Sequence, residues 1–319
     1  MNLDDAASIP LDADSRPSEM HWTNYVRGVV AISAARGLEI PGMNAVVNSN
    51  VPTGGGLSSS AALEVATATL LEAATGITMD PVEKALLSQK AEHEFAGVPC
   101  GIMDQFSSVL CKENHVLLLD CRSQTFDQVP FVNEDVSVLI INSGVKHSLA
   151  DGEYALRRKQ CEAAAAALQT DSLRDVALED LLKQKDAMDE LVFRRGHHVI
   201  TEISRTVAAA EALKSGQWDK LGKLMYESHE SLSTDFEVSC KELDLLVALA
   251  RKTEGVLGSR MTGGGFGGST VTLVKTDQLD SIMSAIASGY TSETGIEPAM
   301  FATKPSRGAH AVTLASTAS

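Results

Sequence analysis

Val51-Pro52-Thr53-Gly54-Gly55-Gly56-Leu57-Ser58-Ser59-Ser60-Ala61 is the stretch from which this chain is read. Upstream, Ala45-Val46-Val47 is an apolar run, and the pattern predicts a strand over residues 43–51. Downstream, the Ala-rich run from Ala61 to Ala68 predicts a helix over residues 59–74, with Gly76 as its stop. Three glycines free the backbone of side-chain clashes where strand becomes helix, and three serines fall at N-cap and first-turn positions. A helix N-terminus offers unpaired N–H groups and a partial positive charge, which suits a phosphate. A Gly-rich turn before a well-capped helix is the plainer reading of the same residues. No Gly-Lys-Ser/Thr follows and no Gly-x-Gly-x-x-Gly is present, so this is neither a Walker loop nor a dinucleotide fingerprint.

The chain has 319 residues, enough for two domains, and 44% hydrophobic with 22% charged residues is ordinary for a soluble globular protein. A formal charge of −15 argues against a nucleic-acid partner, since a polyanion needs a basic surface. No apolar run reaches membrane-spanning length and the acidic N-terminus lacks a signal-peptide layout, so a cytoplasmic protein is expected. Cys100, Cys111, Cys121, Cys161 and Cys240 are odd in number and lack CxxC spacing, which predicts reduced thiols.

Residues 1–20 are acidic and turn-rich and are expected to be disordered unless something docks them. Helical periodicity marks residues 21–35, 81–95, 153–168, 187–214, 217–233, 239–253 and 277–288. Val116-Leu117-Leu118-Leu119 reads as a strand buried on both faces, and residues 137–142 as another. Strands are also expected at 270–274, 299–303 and 309–315. Strands separated by helices suggest an α+β protein with a boundary near residue 135.

Among residues able to carry chemistry, Asp104 stands first. Ile102, Met103 and Phe106 surround it in sequence, so partial desolvation would keep it basic enough to take a proton; a helix first-turn acid is the alternative. Glu92, on the helix before it, could reach a phosphate-bound magnesium ion, against the commoner case of an exposed helical Glu. The second glycine cluster, Met261-Thr262-Gly263-Gly264-Gly265-Phe266-Gly267-Gly268, permits close backbone approach to a ligand or to another loop. Arg157, Arg158 and Lys159 read as solvated helix surface, and Trp22 and Tyr25 as core-packing aromatics. His93, His197, His198 and His229 show no ligand spacing, so no transition-metal site is assigned.

Taken together, these motifs resemble those of the galactokinases, a family of the GHMP kinases. The resemblance rests on residues 51–61, on Ala91 to Phe106 with its Gly-Val-Pro-Cys-Gly-Ile-Met-Asp-Gln-Phe core, and on Met261 to Gly268. Trp22 to Gly28 and Asn142-Ser143-Gly144-Val145-Lys146-His147-Ser148-Leu149 add to it. It implies a two-domain GHMP fold: a ribosomal S5 domain 2-like N-terminal ATP-binding domain over residues 21–134 and a ferredoxin-like C-terminal domain over 135–319. It also implies transfer of the ATP γ-phosphoryl group to the anomeric hydroxyl of α-D-galactose, by a monomer with ATP and Mg2+.

By the same resemblance Asp104 is the catalytic aspartate that withdraws or orients the hydroxyl proton, Gly101, Asp104 and Tyr154 meet the sugar, and Trp22 and Tyr25 lie by the adenine. Gly54, Gly55, Gly56, Leu57, Ser58, Ser59 and Ser60 form the phosphate loop, with Ser60 and Glu92 as magnesium ligands. The family's opening Gly-Arg-Val-Asn-Leu-Ile-Gly-Glu-His-Thr-Asp-Tyr has no counterpart here. A chain that begins inside the family's first domain is expected to be impaired in activity and poorly soluble, with exposed strand edges. An ATP- and galactose-binding sensor without catalysis, or a kinase of a related sugar such as N-acetylgalactosamine, are the alternatives.

Overall fold

Helix α1 (His21–Ala35) carries Val29, Val30 and Ile32 on its buried face, and these pack with Ala68, Leu71, Leu87 and Ala91 from the two helices that follow. Those are α2 (Ser59–Thr75), stopped by Gly76 at φ +73°, and α3 (Pro81–Ala91). Asp80 caps α3 by accepting from the Val82 and Glu83 amides at 2.9 and 3.1 Å, and Pro81 occupies the first turn, where a missing N–H is harmless. A Cβ at Gly28 would stand 2.8 Å from Ala91 Cβ, so α1 and α3 cross at a distance only glycine allows. Helix α4 (Met103–Leu110) and the two-stranded sheet of β1 (His115–Asp120) and β2 (Thr125–Pro130) follow.

The computed structural model describes residues 4–53, 55–146 and 150–312. They fall into two compact units, one built from residues up to Thr53, Ser58–Gln128 and Pro305 onward, the other from Gly54–Leu57 and Val129–Lys304. In the first unit, residues 4–20 hold no helix or strand, yet they dock. Ile9 and Leu11 pack on the helical core, Trp22 Nε1 donates to Asp5 at 3.0 Å, and Asn24 exchanges two hydrogen bonds with the Ser18 backbone.

The second unit is organised on a four-stranded sheet in the order β4-β5-β3-β6, antiparallel throughout. Its strands are β3 (Val136–Lys146), β4 (Val256–Thr262), β5 (Gly267–Lys275) and β6 (Ala299–Thr303). The helices are α5 (Ala150–Ala167), α6 (Leu178–Lys183), α7 (Glu190–Lys214), α8 (Trp218–Thr234), α9 (Lys241–Lys252) and α10 (Leu279–Thr294). Leu139 and Ile141, two residues apart on β3, enter one core with Leu246, Ala250, Val274, Ile282, Ile286 and Tyr290. Helix α8 lies directly on the sheet backbone: a Cβ at Gly222 would collide with the Leu257 carbonyl.

Three expectations are corrected. Residues 43–51 form no strand, and Val46 is 97% exposed; an apolar triplet does not make a strand without a partner backbone to pair with. The Val116–Leu119 run is half-buried, because a two-stranded sheet covers it incompletely. Residues 309–312 hold no strand, and 313–315 lie outside the described residues. Strands β2 and β4 and helix α6 were not anticipated. Among the described residues no helix is long and apolar enough to cross a membrane.

Candidate active site

In the first unit, α3 does not run straight to Phe95 as its periodicity predicts. At Glu92 it widens into a π-helical turn, Glu92–Ala96, closed by Gly97 at φ +74°, whose amide bonds back to the Glu92 carbonyl. Such a turn shifts the direction of the side chains it carries, and Glu92 ends only 5% exposed rather than on the solvent face. Its Oε2 accepts from Gln105 Nε2 at 2.7 Å and from the Cys100 thiol at 3.3 Å. The same Gln105 nitrogen donates to Glu64 Oε2 at 3.0 Å. Glu64 is fully buried on α2, one helical turn after Ser60.

Two carboxylates thus share one amide inside the protein. Burial and then the Glu92 charge hold the Glu64 carboxyl well above its ordinary range. The Cys100 thiol is pushed up to about 12 by burial and by Glu92, and the Tyr25 phenol is raised by burial, Glu92 and Glu64. Glu64 Oε1 and Gln105 Oε1 are buried without a hydrogen-bond partner among the described residues. The Cys100 carbonyl accepts from Gln89 Nε2 at 3.2 Å and contacts His93 Nε2 at 2.8 Å, which fixes the loop before α4.

Asp104, in the first turn of α4, is partly buried, with Phe106 fully buried beyond it and Met103 turned outward. No hydrogen bond or ion pair to another described residue engages its carboxylate. Glu64, Glu92, Gln105 and Asp104 therefore gather where α2, the π turn and α4 meet, with Ser60 one turn before Glu64 on α2. Ser58 occupies the N-cap of α2 in the left-handed region at φ +57°, and its side chain caps nothing, contrary to the capping role expected of the serines. Trp22 is half-buried and tied to Asp5, while Tyr25 faces the carboxylates. Gly101 is exposed.

In the second unit, the glycine clusters meet each other. A Cβ at Gly263 (φ +78°) would lie 2.8 Å from the Gly56 Cα and carbonyl oxygen, and one at Gly268 would lie 3.2 Å from the Gly55 oxygen. Ser269 Oγ donates to that Gly55 oxygen at 2.6 Å, and Ser143 Oγ to the Gly268 oxygen at 2.8 Å. Of the two readings of residues 261–268, the loop-on-loop one is what the fold displays. Gly54 and His147-Ser148-Leu149 lie outside the described residues. Tyr154 on α5 is 51% exposed. Arg157 is corrected from solvated surface to 8% exposed; its neighbour Arg158 does remain in solvent.

The family profile described as GHMP kinases N terminal domain matches residues 24–112, and that described as GHMP kinases C terminal matches residues 209–291. Over 284 residues the chain is 51% identical to the galactokinase of Bos taurus, aligning 88% of this chain with 72% of that one. It is also 51% identical to the Homo sapiens galactokinase over 274 residues, 86% of this chain and 69% of the other. The chain belongs to the galactokinase family.

The crystal structure of Lactococcus lactis galactokinase complexed with galactose superposes with a TM-score of 0.85 at 30% identity, over 93% of this chain and 78% of that one. A Methanococcus jannaschii mevalonate kinase aligns at a TM-score of 0.61 and 17% identity, a likeness of fold alone. The expected α+β GHMP fold is thereby met. Within this site, sequence reasoning missed Glu64 and Gln105. Glu64 had a signal: it falls on the stripe Ala61, Val65, Ala68 that α2 buries, where an unpaired acid is out of place.

Proposed function

We propose that this chain phosphorylates α-D-galactose at its anomeric hydroxyl, with ATP as donor. The observation that carries the reading is Asp104, an acid with no hydrogen bond or ion pair to another described residue, in a chain half identical to galactokinases. It is next in sequence to the Gln105 that bridges a buried carboxylate pair, one of whose members, Glu64, lies one helical turn after Ser60. The hydroxyl oxygen attacks the γ-phosphorus, ADP departs, and the hydroxyl proton passes to the Asp104 carboxylate or is oriented by it. Gly101 and Tyr154 are assigned with Asp104 to the sugar, Gly54–Ser60 to the phosphates, and Trp22 and Tyr25 to the adenine side. Phosphoryl transfer asks mainly for positioning and charge stabilisation, which amide-rich glycine turns and rigid helix ends supply.

Mg2+ fits the residues present. The Glu64 and Gln105 oxygens left without partners mark a buried surplus of hard oxygen donors beside the Glu92 carboxylate. Among the described residues no three His, Cys, Asp or Glu side chains converge as a cage, which suits an ion that takes few protein ligands and completes its shell with phosphate and water. Ser60 and Glu92 would hold it, and it would neutralise charge on the transferred phosphoryl group. Incubating the protein with ATP and galactose tests the reading: galactose 1-phosphate and ADP should form in equal amounts. Binding of both ligands without product would point to a sensor, and preference for N-acetylgalactosamine to a different sugar.

A further inference from the structure

Arg157 is the residue of the Arg157-Arg158-Lys159 run that the site described above does not use. Its guanidinium reaches three elements at once. Nε donates to the Phe236 carbonyl at 2.7 Å, Nη2 to the Glu237 carbonyl at 2.7 Å, and Nη1 to Glu153 on its own helix at 2.9 Å. Its carbon lies 5.7 Å from the centroid of the Phe266 ring, in the second glycine cluster. Arg195, 1% exposed, grips the same turn from α7: it donates to the Asp235 carbonyl at 2.5 Å and to Glu237 Oε2 at 2.6 Å, and its Nε donates to Gln160 at 2.9 Å. Removing guanidinium groups from water is costly. Here three of these six hydrogen bonds go to backbone carbonyls of residues 235–237 and a fourth to the Glu237 carboxylate, so what they secure is where that turn sits.

The turn in turn sets the glycine cluster. The Phe266 amide donates to the Val238 carbonyl at 2.7 Å, and Gly265 approaches the same carbonyl so closely that any Cβ would collide with it. Two residues earlier, Gly263 is the one that closes against Gly56. A continuous path of direct contacts therefore runs from Arg157 through the 235–238 turn and residues 263–266 to Gly56.

We propose that Arg157 is a positioning residue for the nucleotide: by fixing the 235–238 turn and Phe266 it holds the second glycine cluster against Gly55-Gly56 and so sets the loop that receives the phosphates. This rests on the reading of Gly54–Ser60 as the phosphate loop. Displacing a phosphate-binding backbone by a fraction of an ångström costs binding and rate without touching the sugar.

The test is steady-state kinetics on the full chain, with calorimetric titration of a non-hydrolysable ATP analogue and thermal unfolding alongside. In Arg157→Met the ATP KM and the analogue Kd are expected to rise about tenfold while the galactose KM moves less than about twofold. Arg157→Lys, which keeps the charge but not the fork, should fall between. Arg158→Met, on the solvent side of the same helix, should match the parent. Should Arg157→Met not fold, Phe266→Leu is read in its place, with a rise of about threefold expected in the same two quantities. A lowered Tm with unchanged nucleotide constants would make Arg157 a stabilising residue only and overturn the proposal, leaving the phosphate-loop reading in place. A parent protein that binds no analogue would overturn both.

Discussion

The side-chain nitrogen of Gln105 stands 2.7 Å from Glu92 Oε2 and 3.0 Å from Glu64 Oε2, so one neutral amide joins two buried acids. Because Gln105 follows Asp104 directly, the bridge also anchors the helix turn that presents the proposed base. Neither carboxylate has a cation partner among the described residues. The amide, together with the proton that the raised Glu64 carboxyl retains, is what makes their proximity tolerable.

Gln105→Leu should therefore destabilise the protein by about 3 kcal/mol in urea unfolding, as expected when buried charges lose a shared donor. Adding Glu64→Gln should recover part of that loss by supplying a new amide and deleting one buried acid. A double variant no more stable than the single one would mean the bridge carries little.

Asp104→Asn keeps shape and removes the basic oxygen. Turnover is expected to fall about 10²- to 10⁴-fold, the usual worth of a positioned base. Binding of the ATP analogue and Tm should hold, since no described hydrogen bond is lost. Product formation measured by coupled ADP release decides it.

Two glycines should behave oppositely. Gly263→Ala forces a Cβ to 2.8 Å from Gly56 at a φ of +78° and should raise the ATP KM, with stability lowered by about 1–3 kcal/mol. Gly222→Ala drives a Cβ into the Leu257 carbonyl under α8, and should lower Tm as much or more while sparing the KM of the protein that remains folded. Paired melting curves and ATP saturation curves separate the two.

His198 is 5% exposed, stacked on Phe236 at 4.4 Å and hydrogen-bonded to Ser231, and burial draws its pKa down to about 4. The unfolded chain then binds a proton between about pH 6.5 and 4 that the folded chain refuses. The contribution is whole above pH 6.5, shrinks as pH falls, and is lost below about 4, with a slope no steeper than about 1.4 kcal/mol per pH unit. His198→Gln removes this titration. Its stability measured by urea at pH 7, 6, 5 and 4.5 should drop less steeply than that of the parent; equal slopes would refute the assignment.

What could be read before any coordinates was what local chemistry fixes. The helix after the glycines with Gly76 as its stop, and the start of α3 at Pro81, are set within a few residues, and each stands where the pattern placed it. What escaped depends on remote partners. Val46 lacked a pairing strand and stays in solvent, and β4 shows itself only beside β5. Arg157 looked like surface because the carbonyls it serves lie about eighty positions downstream. The π turn at Glu92 leaves no trace in periodicity, although Gly97 five residues on is the stop that permits it.

The thiol beside Glu92 has a practical consequence for the bench. With its proton retained to about pH 12, Cys100 is a poor nucleophile at neutrality. A maleimide dye added at pH 7 should therefore find the exposed Cys121 first. That would place a fluorescent reporter on an exposed thiol rather than on the one hydrogen-bonded to Glu92, and let ligand uptake be followed without a cysteine-free background.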